Sequence, residues 1–145
     1  MKLTIHQDLS TSEDEIIMKC ACMNPKLQKL ADYIRQYTFS LEGLKDGKTY
    51  QIPIEQIYYI ESVDGKTFLY TNDCAYMCTE TLITLEEALK YTPVVRISKS
   101  CLMNTSYLKC VAPYPNHRLN AELLNKEHLI VSRNYIEVLK EKLRS

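Results

Sequence analysis

The chain has 145 residues, 46% hydrophobic and 25% charged, with 18 Lys/Arg against 18 Asp/Glu. That length and balance suit one domain, or one domain with a small addition, that buries a real core, and they exclude a disordered chain. No apolar run approaches the roughly 20 residues needed to span a bilayer, and MKLTIHQDLS lacks the apolar core of a signal peptide, so the expected compartment is the cytoplasm.

Residues 14–22, DEIIMKCAC, read as a strand. Asn24-Pro25 then supplies a helix N-cap with proline at the first helical position. Leu27, Leu30, Ala31 and Ile34 follow at helical spacing, predicting an amphipathic helix over 25–37. This strand and helix form a short N-terminal unit, residues 1–41. It is too small for a phosphoacceptor receiver domain, which needs about a hundred residues of alternating strands and helices, so aspartyl phosphorylation is not the expected switch.

From residue 38 the pattern turns to short strands. TFSLEGL and TYQIPI flank a turn centred on Asp46-Gly47, and IYYIESV and KTFLYT flank Asp64-Gly65, both strong hairpin signals. A further strand is expected near AYMCT. Leu82, Leu85 and Leu89 predict a helix with a buried stripe, started by Thr84 with Glu87 as a capping box or by Thr79 or Thr81, and closed before Pro93. After VVRISKS, residues 106–112, 117–124 and 128–131 read as three more strands. Ser132 is the expected N-cap of a closing helix whose Ile136, Leu139 and Leu143 share a face. The fold class is mostly β (α+β), an antiparallel sheet with short helices.

The zero net charge hides an asymmetry. Residues 1–90 carry 9 Lys/Arg against 14 Asp/Glu, a net of −5, whereas residues 91–145 carry 9 against 4, a net of +5. Local positive charge is what phosphate binding needs, and a whole-chain sum does not report it. Six cysteines (20, 22, 74, 78, 101 and 110) lack the C-x2-C spacing of a structural zinc site and the density of a secreted disulfide scaffold, so reduced thiols are expected. His6, His117 and His128 fall in no motif with a nucleophile, and there is no glycine-rich phosphate loop or metal-ligand cluster. Neither an enzyme nor a cofactor is indicated.

Two strings carry the function. VVRISKSCLMN, residues 94–104, and LIVSRNY, residues 129–135, each set basic and hydrogen-bonding side chains at the margin of apolar residues. That is the composition of a surface that meets phosphates and base edges. The two strings, their order and spacing, and the IPIEQIYYIES run before them resemble the LytTR family of bacterial DNA-binding domains, with its Arg-Ile-x-x-Ser-x-x-x-Asn signature and Val-Ser-Arg-x-Tyr helix entry. The resemblance covers roughly residues 42–145.

It implies an elongated arrangement of antiparallel strands, with loops that reach into successive major grooves of double-stranded DNA. Three contact places carry over by matched position: Lys66 and Thr67 after the Asp64-Gly65 turn; Arg96 with Lys99 and Ser100; and Arg133 with Asn134 at the start of the last helix. Ser98 stands where many members have His, which shifts weight onto Lys99. The resemblance further implies a transcriptional regulator without enzymatic activity, bound as a homodimer to paired direct-repeat half-sites about one or two helical turns apart. In some receiver-less relatives a small membrane protein restrains the regulator. The same fold is also compatible with a protein-interaction module that does not bind DNA.

Several residues are open to plainer readings. Arg96 follows two valines and could pair with an acidic neighbour at a sheet edge. Asn104, ending a β-run, reads as a turn cap. Lys66 sits in a turn where any solvated residue would serve. Arg133 in a first helical turn opposes the helix dipole, which is easier to explain if an anion lies beside it.

Overall fold

The computed structural model describes residues 1–144. Residues 14–22 form no strand: they run without regular structure, with Ile16 and Ile17 71% and 67% exposed. Apolar alternation offers only a strand's face. Its edge needs a hydrogen-bonding partner, and among the described residues every strand pairs with another segment. The helix α1, Pro25–Thr38, starts where the sequence predicts, with Asn24 Oδ1 accepting from Leu27 N at 3.0 Å.

The chain then builds β1 (Ser40–Lys45), β2 (Lys48–Pro53), β3 (Ile57–Val63), β4 (Lys66–Thr71), β5 (Ala75–Cys78), α2 (Leu82–Ala88), β6 (Val94–Ser98) and β7 (Cys101–Asn104). It continues with β8 (Leu108–Tyr114), β9 (Arg118–Leu123), β10 (His128–Val131) and α3 (Ile136–Arg144). Seven strands make one antiparallel sheet in the order β2-β1-β5-β4-β3-β7-β6, and β10-β9-β8 make a second. Asp46-Gly47 and Asp64-Gly65 both turn with two consecutive positive φ angles (52° and 75°, 51° and 77°), the geometry that matches strand twist in a two-residue hairpin. Thr81, among the three threonines open as caps, is the one used: its Oγ1 accepts from Thr84 N at 3.2 Å.

The large sheet is covered on both faces. On one, α2 lays Leu82, Leu85 and Leu89 over Ile57, Ile60, Leu69 and Leu102. On the other, the small sheet and α3 pack Ala121, Leu123, Val131 and Leu139 against Val95, Ile97 and Met103. Successive residues of β6 and β7 therefore feed opposite cores, and all four residues of β7 are buried. This strand hides in the sequence because double burial erases alternation.

Asn104, at the end of β7, is fully buried and satisfied. Its Nδ2 donates to Ile57 O at 2.9 Å and Ile54 O at 3.3 Å, and its Oδ1 accepts from Ser106 N at 3.0 Å. Gln36 of α1, 3% exposed, joins this cluster by donating to Ser106 Oγ at 3.2 Å. The N-terminal helix is thus pinned to the end of the sheet where β7 finishes and β3 begins.

One boundary differs at the C-terminus. Ser132 makes no side-chain capping bond; the chain takes a 3-10 turn over Arg133–Tyr135 first, and α3 begins only at Ile136. Arg133 and Asn134 precede the helix instead of occupying its first turn, so the helix-dipole argument does not apply to them. Leu139 is buried as expected, while Leu143 is 39% exposed.

Candidate nucleic-acid interface

Three turns from distant parts of the sequence meet at one end of the large sheet. The β3–β4 turn projects Lys66 into solvent and sends Thr67 inward, where it is 6% exposed and pairs with Cys78 and Ser62. The β6–β7 turn lies beside it because Ser62 N donates to Ser100 O at 2.8 Å. The segment after β10 joins on the other side, where Ser132 N donates to Ile97 O at 2.9 Å. Lys66, Lys99, Ser100, Arg133 and Asn134 are all exposed at this end. Thr67 and Arg96 lie behind them.

Arg96 is the most constrained of the seven. It shares a face with Leu102, toward α2, and its side chain is 13% exposed. Nη1 pairs with Glu86 of α2 at 3.0 Å, Nε donates to Ser98 O at 2.9 Å, and Nη2 donates to Lys99 O. All three guanidinium nitrogens are therefore committed to the protein. The fork holds the carbonyls of the turn that carries Lys99, while Ile97, on the same face as Val95, enters the second core and the register shifts between Arg96 and Ser98. Ser98 Oγ accepts from Ser100 N at 3.2 Å, stiffening the turn from inside.

Between the β6–β7 turn and the small sheet runs a groove of about 280 Å³, lined by Ser98, Ser100 and Ser132 and by the buried Ile97 and Leu129. Glu61 and Arg118 also line it. The Cys101 thiol on its wall is held protonated, pushed up to about 12 by burial and by the nearby Glu61 carboxylate. A thiol so placed packs as a small apolar group and is not a nucleophile. The six cysteines are unpaired. Among the described residues no cluster of His, Cys, Asp and Glu is arranged to hold a metal, and no helix is long and apolar enough to cross a membrane.

Arg118 carries no signal in the sequence, as a single basic residue at the start of β9, and only the pairing of Val131 with Leu119 shows that it comes next to Ser132.

The family profile of the LytTr DNA-binding domain matches residues 47–144. The chain belongs to the LytTr DNA-binding domain family. LytT sensory transduction proteins of Bacillus subtilis and Bacillus cereus are 29% and 31% identical to it over 63% and 64% of the chain. This LytTr chain matches only 38% of the length of either of those proteins. An uncharacterized HTH-type transcriptional regulator of Staphylococcus aureus is 23% identical over 99% of this chain and 98% of its own length. A solved LytTr DNA-binding domain from Bacillus cereus superposes with a TM-score of 0.68 at 19% identity, over 72% of this chain and 95% of that one. The mostly β LytTr fold is therefore shared. The LytTr family is one of DNA-binding regulator domains and not of enzymes.

Proposed function

We propose that this protein is a sequence-specific double-stranded DNA-binding transcriptional regulator that acts in the cytoplasm, without enzymatic activity or a cofactor, and meets successive major grooves through its loops. The observation that carries this reading is the meeting of three turns at one end of the sheet, through the Ser62–Ser100 and Ile97–Ser132 backbone bonds. Lys66, Lys99, Ser100, Arg133 and Asn134 supply the contacts, as point charges and hydrogen-bonding groups toward phosphates and base edges. Thr67 and Arg96 contribute from behind by fixing the turns in place. Two copies occupy direct-repeat half-sites as a homodimer on DNA.

Residues 42–145 form the DNA-binding domain and residues 1–41 an extension that serves as a dimer or regulatory surface, with a small membrane protein among its candidate partners. Support for this comes from the exposed apolar side chains Leu3, Ile5, Leu9, Ile16 and Ile17 ahead of α1.

Selection of bound sequences from a random duplex library, then titration of the winner against scrambled DNA at two salt concentrations, tests the reading. The expected result is a paired motif whose binding falls with Lys99→Ala. With Arg133→Ala it should fall by about 1–3 kcal/mol if Arg133 meets a base, and the salt slope should fall by about one if it meets a phosphate. Absence of enrichment and of salt-dependent affinity would leave a protein-interaction module with the same fold.

A further inference from the structure

We infer that Arg118 is a base-reading residue of this interface, directed at a guanine in the groove between the β6–β7 turn and β10. The inference rests on the DNA-binding reading and adds a residue from a fourth segment to it.

The contrast with Arg96 makes the case. Every guanidinium nitrogen of Arg96 is bonded to the protein. Arg118 donates only Nε, to Pro115 O at 2.9 Å, and its guanidinium lies 4.9 Å from the centre of the Tyr114 ring. Among the described residues nothing is bonded to its Nη1 or Nη2. The side chain is therefore held at one nitrogen and along one face while a pair of parallel donors stays open. A pre-oriented fork loses little conformational freedom when it binds, and its geometry matches the O6 and N7 acceptors of guanine.

Placement points the same way. The strand register brings Arg118 beside Ser132, immediately before Arg133, and it lines the same groove as Ser98 and Ser100 on either side of Lys99. Glu61, the only carboxylate lining the groove among the described residues, offsets the positive charge of Arg118 and so weakens the pull on a phosphate. A groove that holds both an arginine fork and a carboxylate complements a G·C pair, whose cytosine offers an amino donor next to the two guanine acceptors. The buried apolar side chains of Ile97 and Leu129 in its lining suit the flat edge of a base better than a hydrated anion.

The test titrates the full chain and its Arg118→Ala and Arg118→Lys variants on the selected operator, on each of its single base-pair variants, and at two salt concentrations. Arg118→Ala is expected to weaken operator binding by roughly 5- to 150-fold, to lose preference at one G·C position, and to keep the salt slope. Arg118→Lys, which keeps the charge and a donor to guanine but lacks the planar fork, should weaken the same preference while binding more tightly than Arg118→Ala. Matching thermal unfolding of the two variants and the parent shows that the fold is retained. A loss that is uniform across sequences with a salt slope lower by about one would make Arg118 a phosphate contact and overturn the inference. Unchanged binding in both variants would overturn it too. The operator selection with the unaltered chain tests the DNA-binding reading separately, so the two can fail independently.

Discussion

Arg96 shows how a side chain expected to meet DNA can be bonded within the protein instead. Its position in VVRISKS invites a phosphate, yet its guanidinium is committed to Ser98 O, Lys99 O and Glu86. A lysine there keeps the charge and loses the planar fork, so it cannot brace two carbonyls and a carboxylate at once. Arg96→Lys should lower folding stability by about 1–3 kcal/mol, the range for hydrogen bonds to a charged donor, as measured by urea unfolding. It should also weaken operator binding with little change in salt slope, since no phosphate contact is removed. A lower slope with unchanged stability would instead mean that Arg96 turns outward to meet DNA. The plainer readings of Arg96 as paired and Asn104 as a cap were both available in the sequence. Their actual partners were not, because Glu86 meets Arg96 only once α2 folds back over β6, and the carbonyls of Ile54 and Ile57 meet Asn104 only when β3 and β7 align.

At the scale of elements, local chemistry decided what was legible. The two Asp-Gly turns could be placed from sequence because positive φ at two successive residues restricts the choice of side chain. The strand expected over 14–22 failed for the opposite reason, because it depended on a partner that local pattern does not supply, whereas the closing helix formed after one 3-10 turn following Ser132. Gly43 in β1 is a case where packing dictates the residue unseen. A Cβ there would lie 2.5 Å from Ile52 Cδ1 and 2.7 Å from Tyr76 Cβ. The isoleucine methyl can move aside, but the Tyr76 Cβ is fixed to β5, so β1 would have to part from its neighbour. Gly43→Ala should therefore destabilise the fold by about 1–3 kcal/mol, the usual cost of overpacking. The urea midpoint of this variant checks it. DNA affinity of the folded fraction should stay the same, because β1 lies at the far side of the sheet from β6 and β7.

Across the whole molecule, α1 and the turns that carry Lys66, Lys99 and Arg133 occupy opposite ends of the same strands. Strands β3, β6 and β7 each have one end near the Ser62–Ser100 link and the other near Asn104, Pro93 or Ile57, where α1 is anchored through Gln36. The seven residues of β3 separate these ends by about 20 Å at the usual rise per residue. At the α1 end, Lys29, Asp32 and Tyr33 border a small cavity with Lys142 of α3, and Lys142 Nζ donates to Lys90 O at 3.1 Å. Burial there lowers the pKa of the Lys142 ammonium. A helix in this position does not cover the turns that carry Lys66, Lys99 and Arg133, so its expected route to any binding there is through the stability or assembly of the chain. Gln36→Ala removes the buried amide that ties α1 to Ser106. It should reduce stability by about 1–3 kcal/mol, because Ser106 and Asn104 lose a buried partner. Operator affinity per folded molecule should stay unchanged at a temperature well below melting. Urea unfolding and operator titration on the same preparation measure both. A fall in affinity without loss of folded protein would show that α1 and the turns communicate along β3 and β7, making the docked helix a control element and not merely an anchor.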